Sequence, residues 1–174
     1  MPVAGGGFEQ CYNAQAVVAA GSLLVVAADV VQAPNDKRQL APMLDKLAAL
    51  PETLLADTGS FSAANVEACQ AAGIAPLIAL VRETHHPSLS ERFAEAPSAP
   101  DDPTPVEAMA HRLKTLEGRK LYAQRKHTPE PVFGIIKSVL GFRQFLLRGL
   151  DHVRGEWNLV AWNLKRMFAL IPAT

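Results

Sequence analysis

Between Pro51 and Val81 the chain alternates between strand-like and helix-like runs. TLLADTG is a short apolar strand ending in Asp57 and Gly59. SAANVEACQAA follows, with Ser62 placed to cap a helix and Gly73 to close it. APLIALV is again an apolar run of strand length. Strand, helix, strand in so short a span predicts a βαβ unit, with parallel strands and a right-handed crossover. That commits the chain to an α/β fold rather than a helical bundle or an antiparallel sandwich.

The flanking sequence extends the pattern. FEQCYNAQAVVAA alternates and then turns apolar, and SLLVVAADVV is apolar and β-branched. Gly21-Ser22 between them predicts a hairpin. Asn35-Asp36 reads as a turn, and Pro42 suits a first helical turn, so a helix is expected from near Ala41. Leu40, Met43, Leu44 and Leu47 supply its apolar stripe. Residues 83–105 carry five prolines in 23 residues and little periodicity, which predicts a linker or insertion. From 106 to 170 a helical region is expected. Its stripes are Val106, Met109, Ala110, Leu113 and Leu116, then Val132, Phe133, Ile136 and Val139, then Trp157, Val160, Ala161, Leu164 and Phe168.

Length and charge bound the function. At 174 residues the chain suffices for one domain with a real core. No apolar run reaches the roughly 20 residues that cross a membrane. The start MPVAGGGFEQ has no charged n-region followed by an apolar h-region. Two cysteines make no disulfide framework, so a reducing cytoplasm is expected. The zero net charge hides a split. Residues 1–110 hold 5 Lys/Arg and 13 Asp/Glu, whereas residues 111–174 hold 12 and 4. The resulting −8 and +8 fit a polyanion partner for the C-terminal part, or two halves that attract each other.

Two carboxylates are candidates for chemistry. Asp57 stands at the carboxyl end of a strand, where ligand groups gather in open α/β sheets. An ordinary turn aspartate before Gly59 is the alternative. Glu130 lies between Pro129 and Pro131 in HTPEPVFGIIK. Pro131 fits the N1 position, and a carboxylate there gains from the helix dipole. Lys137 is two turns along the same face, roughly 10 Å away by the helix rise. A salt bridge to Lys126, four residues earlier, is the plainer role for Glu130. The sharper reading joins the two acids. Carboxylates distant in sequence can share Mg²⁺ ions that keep water and phosphate oxygens in their shells. Two such ions about 4 Å apart activate a water or 3′-hydroxyl and stabilise the leaving oxygen.

At these residues the sequence resembles a family. FEQCYNAQAVV, VVAADVVQAPNDKRQLAPML, LLADTGSFSAANVEA and GRKLYAQRKHTPEPVFGIIKSVLGFRQFLLRGLDHVRGEWNLVAWNLKRM look like the C-terminal part of bacterial insertion-sequence transposases of the DDE type. The resemblance covers nearly the whole chain outside the proline-rich insert. It implies a ribonuclease H-like mixed sheet flanked by helices, with a helical C-terminal region. It implies two-metal phosphoryl transfer on DNA with Mg²⁺ or Mn²⁺. Cleavage at a transposon end exposes a 3′-hydroxyl, which attacks target DNA. The ADTGSFS segment matches the family's second-aspartate motif and places that acid at Asp57. The closing motif of tyrosine, arginine, glutamate and lysine falls on Tyr122, Arg125, Glu130 and Lys137. Asp57 and Glu130 are then the catalytic, metal-binding acids. Tyr122, Arg125 and Lys137 position the DNA backbone, with Lys126, Arg143 and Arg148 as further contacts.

Three departures stand out. Four residues separate Arg125 from Glu130, where three is commoner. Ser60 replaces an aromatic, and Pro129 replaces a β-branched residue. The family's first aspartate precedes the segment matching FEQCYNAQ, and no acidic residue precedes Glu9. The expectation is therefore a single catalytic domain, incomplete at its N-terminus and little active alone. The alternative is a non-catalytic DNA-binding or dimerising remnant, which rests on the +8 C-terminal region; relatives act as dimers on DNA. Asp29 in VVAADVV belongs, by resemblance, to a later strand of the same sheet. The His85-His86 pair, weighed with His111 as a zinc site, reads instead as a loop pair, Cys69 as a buried or half-buried free thiol, and Trp157 and Trp162 as packing residues rather than a base-stacking platform.

Overall fold

The computed structural model describes residues 11–81, 97–157 and 159–171. His85-His86 and most of the proline-rich stretch lie outside them. The chain divides into two compact units, residues 1–48 with 126–174, and residues 49–125. Among the described residues the architecture is mixed α/β, with small sheets flanked by helices. Each unit contains one two-stranded sheet among its described residues.

In the first unit β1 (Asn13–Val18) and β2 (Val25–Val31) form the expected antiparallel hairpin. Asn13 pairs with Val31 and Gln15 with Asp29, and a bulge between Val17 and Val18 shifts the register. The turn relies on Leu23 at φ 59° and is closed by bonds between Ala19 and Leu23–Leu24. Helix α1 (Leu40–Leu44) has Pro42 in its first turn and buries Leu40, Met43 and Leu44. It stops before Leu47. Asp36 fixes the preceding turn, where its Oδ1 accepts from the Asn13 and Gln15 amides at 2.6 and 2.8 Å.

The second unit is built on the predicted strand–helix–strand. β3 (Thr53–Ala56) and β4 (Ala75–Ile78) pair in parallel, Thr53 beside Ala75. Helix α2 (Ala63–Ala71) joins them. Ser62 caps it by accepting from Asn65 N–H, and Gly73 follows at φ 73°. Val66, Cys69, Ile74, Leu77 and Ile78 are buried here. Cys69 is a free thiol, and burial raises its pKa. Helix α3 (Pro105–Lys114) starts at a Thr104–Glu107 capping box with Pro105 at N1. Its Met109 is buried and accepts from Ile78 N–H. Helix α4 (Leu116–Ala123) follows at once, because Thr115 ends one helix and caps the next. That break leaves Leu116 exposed instead of continuing the predicted stripe.

Back in the first unit, α5 (Pro129–Ser138), α6 (Leu150–Glu156) and α7 (Val160–Leu170) complete the fold. The region is not helical throughout, since residues 139–149 form an irregular loop. Val30, Val132, Ile136, Val153, Trp157 and Trp162 make the core. Fully burying one such aliphatic side chain contributes about 1.5–3 kcal/mol. Val139, at the end of its predicted stripe, is exposed. The third predicted stripe needs a larger correction. Leu159 adopts φ 56° between α6 and α7, so the helical phase resets there. Val160, Leu164 and Phe168 face outward, while Trp162, Asn163 and Arg166 grip the hairpin. Both tryptophans are packing residues: their indoles donate to the Gln15 and Leu23 carbonyls at 2.9 Å.

Candidate functional site

The residues in question fall in both units, and each unit is described by itself. In the second unit, β3 ends at Ala56 and hands Asp57 to a 3-10 turn, Thr58–Ser60. Asp57 is exposed and caps that turn, its Oδ1 accepting from Gly59 N–H at 3.0 Å. Among the described residues the other carboxylate oxygen has no partner, so it is open to a ligand. This position at the carboxyl end of a parallel strand is the one the sequence indicates.

The Tyr122–Arg125 pair lies in the same unit. Tyr122 is in the last turn of α4, and Arg125 is in the 3-10 turn Gln124–His127. The Arg125 guanidinium lies over the Tyr122 ring, 5.6 Å from its centroid. The two spacer residues bring the side chains together on adjoining helical turns. Stacking fixes the guanidinium plane and leaves its donors for an anion. Arg125 Nε is buried and has no hydrogen-bond partner among the described residues, an orphan donor that fits an anionic ligand.

In the first unit, Glu130 and Lys137 share helix α5. The helix begins two residues earlier than expected, with Pro129 rather than Pro131 at its start. Both prolines fall in the first turn, where their missing N–H groups cost no intrahelical bond. Thr128, the cap residue, makes no side-chain capping bond, so Glu130 is the acidic group at this helix start. Glu130 is exposed and makes no hydrogen bond or ion pair among the described residues. The salt bridge to Lys126 does not form, and Lys126 is likewise exposed. Lys137 is exposed in the last turn of the same helix and unpaired among the described residues.

Lys137 also lines a cavity of about 480 Å³ within this unit. Phe133, Phe142, Phe145 and Trp157 form its apolar wall, with Arg143 and Gln144 alongside. Phe133 stacks on Trp157 at 5.6 Å, and Phe142 meets Phe145 edge-on at 5.5 Å. The sequence does not announce this wall. Phe142 and Phe145 belong to the loop and follow Gly141 at φ 74°, outside any helical period. Arg148 is exposed near the end of that loop, before Gly149.

Asp29 is in a different situation from the two candidate acids. Its carboxylate is shielded and accepts from Arg154 Nε at 2.9 Å, with Lys46 Nζ at 3.4 Å. Burial pushes its pKa up. The Val30 N–H bond and the Lys46 and Arg154 cations outweigh that and hold it below the ordinary value. Asp29 therefore ties α6 to the hairpin. His111, weighed above as a zinc ligand, bonds the Pro97 carbonyl instead.

The exposed Asp57 and Glu130 oxygens are hard donors of the kind Mg²⁺ or Mn²⁺ takes. Among the described residues no three His, Cys, Asp or Glu side chains converge into a complete ligand set. No helix among them is long and apolar enough to cross a membrane.

No curated protein and no solved structure matches the chain. A family model described as Transposase DDE domain matches residues 3–164, a span that includes Asp57, Tyr122, Arg125, Glu130 and Lys137. The chain belongs to the transposase DDE domain family.

Proposed function

We propose that the chain serves DNA transposition as the catalytic domain of a DDE transposase, with Asp57 and Glu130 as two acids of a metal-dependent site. The observation that carries this reading is the ordered set Asp57, Tyr122, Arg125, Glu130 and Lys137 inside a family match over residues 3–164. Both acids are exposed with free oxygens, and Arg125 is stacked on Tyr122 with an unused donor. In this reading the fold is ribonuclease H-like.

Asp57 and Glu130 would hold Mg²⁺ or Mn²⁺. When bound, the ions supply an activated oxygen nucleophile and neutralise charge on the leaving oxygen. The chain's own residues do the rest. Arg125, set over the Tyr122 ring, donates to a phosphate oxygen of the DNA strand. Lys137 adds a point charge to the same backbone. Lys126, Arg143 and Arg148 extend the basic surface along the duplex. Intact relatives work as dimers on transposon ends, and the same assembly is proposed here.

The 174 residues present two of the three acids that this chemistry uses. The polypeptide alone is therefore expected to bind DNA, through a C-terminal part of net charge +8, and to perform little strand transfer. The experiment is a nicking and strand-transfer assay with Mg²⁺ or Mn²⁺, run beside DNA binding over a salt series. Binding that weakens steeply with salt, with little cleavage, is expected. Robust cleavage by the 174-residue chain, lost in Glu130→Ala, would overturn the expectation of inactivity. Binding that ignores salt would overturn the backbone-contact reading.

A further inference from the structure

The irregular loop between α5 and α6 carries two adjacent leucines on its outside. Leu146 is 78% exposed and Leu147 51% exposed. Side chains of this kind normally turn inward or sit on floppy loops, yet this loop is anchored along its length. The N–H of Leu146 donates to both Glu156 carboxylate oxygens at 3.1 Å, and that of Leu147 to one of them at 3.0 Å. Gly149 N–H donates to the Tyr12 hydroxyl at 3.1 Å. Just before the leucines, Phe145 is wedged among Tyr12, Phe142 and Trp157, with ring centroids 5.9, 5.5 and 6.1 Å away. Trp157 is itself buried in the core. The backbone is thus fixed from below while the leucines project.

The rim of this projection is cationic. Arg143 and Arg148 bracket the leucines, are exposed, and form no ion pair among the described residues. Glu156, which holds the loop, is committed to the two amide groups. A rigid apolar tip between two free guanidinium groups matches the chemistry of a duplex opened at one base step: unstacked base faces inside, phosphates on either side. A protein partner would need no such cationic bracket. Rigidity also lowers the ordering cost of insertion.

We propose that Leu146 and Leu147 form a wedge that enters a base step of duplex DNA, while Arg143 and Arg148 hold the flanking phosphates. This rests on the reading that the chain binds DNA and adds the way it deforms it. The test uses the 174-residue chain with two duplexes. One carries 2-aminopurine at a central TA step, and the other a single mismatched pair, which opens more easily. The wild-type chain is expected to raise 2-aminopurine fluorescence and to favour the mismatched duplex by about tenfold. The Leu146→Ala/Leu147→Ala double variant alters only exposed side chains, and its urea melt should match the wild type. It should lose the fluorescence rise and keep less than about a twofold mismatch preference. Its salt slope should stay unchanged, because that slope counts phosphate contacts. Arg143→Ala/Arg148→Ala should weaken both duplexes alike and flatten the slope. Three results would overturn the wedge. The double variant could keep the fluorescence rise and the preference. The wild type could bind duplex with a steep salt slope and no fluorescence change, which leaves DNA binding standing. Or the leucine changes could abolish self-association with no effect on DNA, marking a protein interface. Absence of duplex binding by the wild type at any salt would remove both this wedge and the DNA reading beneath it.

Discussion

Asn163 closes the backbone of Val25: the Val25 N–H donates to Asn163 Oδ1 at 2.9 Å, and Asn163 Nδ2 donates back to the Val25 carbonyl at 2.8 Å. One side-chain amide stands in for a neighbouring strand at the start of β2. Further along, Asp29 and Arg154 treat Val30 the same way, taking its N–H and capping its carbonyl. The C-terminal helices thus finish the hairpin's hydrogen bonding. Asn163→Ala leaves a partly buried N–H and C=O unpaired and should cost about 1–3 kcal/mol. Urea unfolding measures it. Asn163→Asp keeps the acceptor and should lie between the two. An unchanged midpoint in Asn163→Ala would show that water serves Val25 equally well.

Gly118 meets a tighter limit. A Cβ there would lie 1.8 Å from the Arg112 carbonyl oxygen, at the corner where Thr115 ends α3 and caps α4. Thr115 Oγ1 donates to that same carbonyl and accepts from Gly118 N–H. Gly118→Ala must push α4 away from the corner. The expected loss is about 1–3 kcal/mol, or about 2–4 °C of melting midpoint per kcal/mol. Because α4 carries Tyr122, DNA affinity should fall too. An alanine variant with wild-type melting would contradict the close approach.

Asp29 makes the fold pH-dependent in a definite direction. Its folded pKa is depressed relative to the unfolded chain, so the ionised form is the one that stabilises. That contribution is fully present above the ordinary aspartate pKa of about 4 and drains away as pH falls through the lower folded value. Asp29→Asn should lower stability at neutral pH and flatten the stability curve below about pH 4. Urea midpoints at several pH values on both proteins check it. Parallel curves would mean that another acid carries the dependence.

Much of this could be read from the residues. The βαβ unit followed from two apolar runs around a capped helix, and Ser62 and Gly73 act as their chemistry dictates. The position of Asp57 just past a parallel strand was legible because strand ends in such units have fixed geometry. The C-terminal region was less so. Leu159 takes a left-handed conformation that its side chain does not advertise, and this turned the predicted Val160–Leu164–Phe168 face outward. Thr115 broke a stripe because a threonine can end one helix and start another. The aromatic wall beside Lys137 comes from loop residues, where no period exists to be read. The family motif is what singles out Glu130 and Lys137 as candidates. Only the structure shows that Glu130 has no partner among the described residues and that the Arg125 guanidinium sits over the Tyr122 ring.

The role proposed for Asp57 and Glu130 is to bind a divalent metal ion. The most direct measurement is a Mn²⁺ titration followed by loss of the free-ion electron paramagnetic resonance signal. It would compare the wild type, Asp57→Ala and Glu130→Ala, each with circular dichroism to confirm folding. The expected result is bound Mn²⁺ in the wild type and weakening by about tenfold or more in each variant. A wild-type binding curve in either variant would contradict the metal-binding role of that acid.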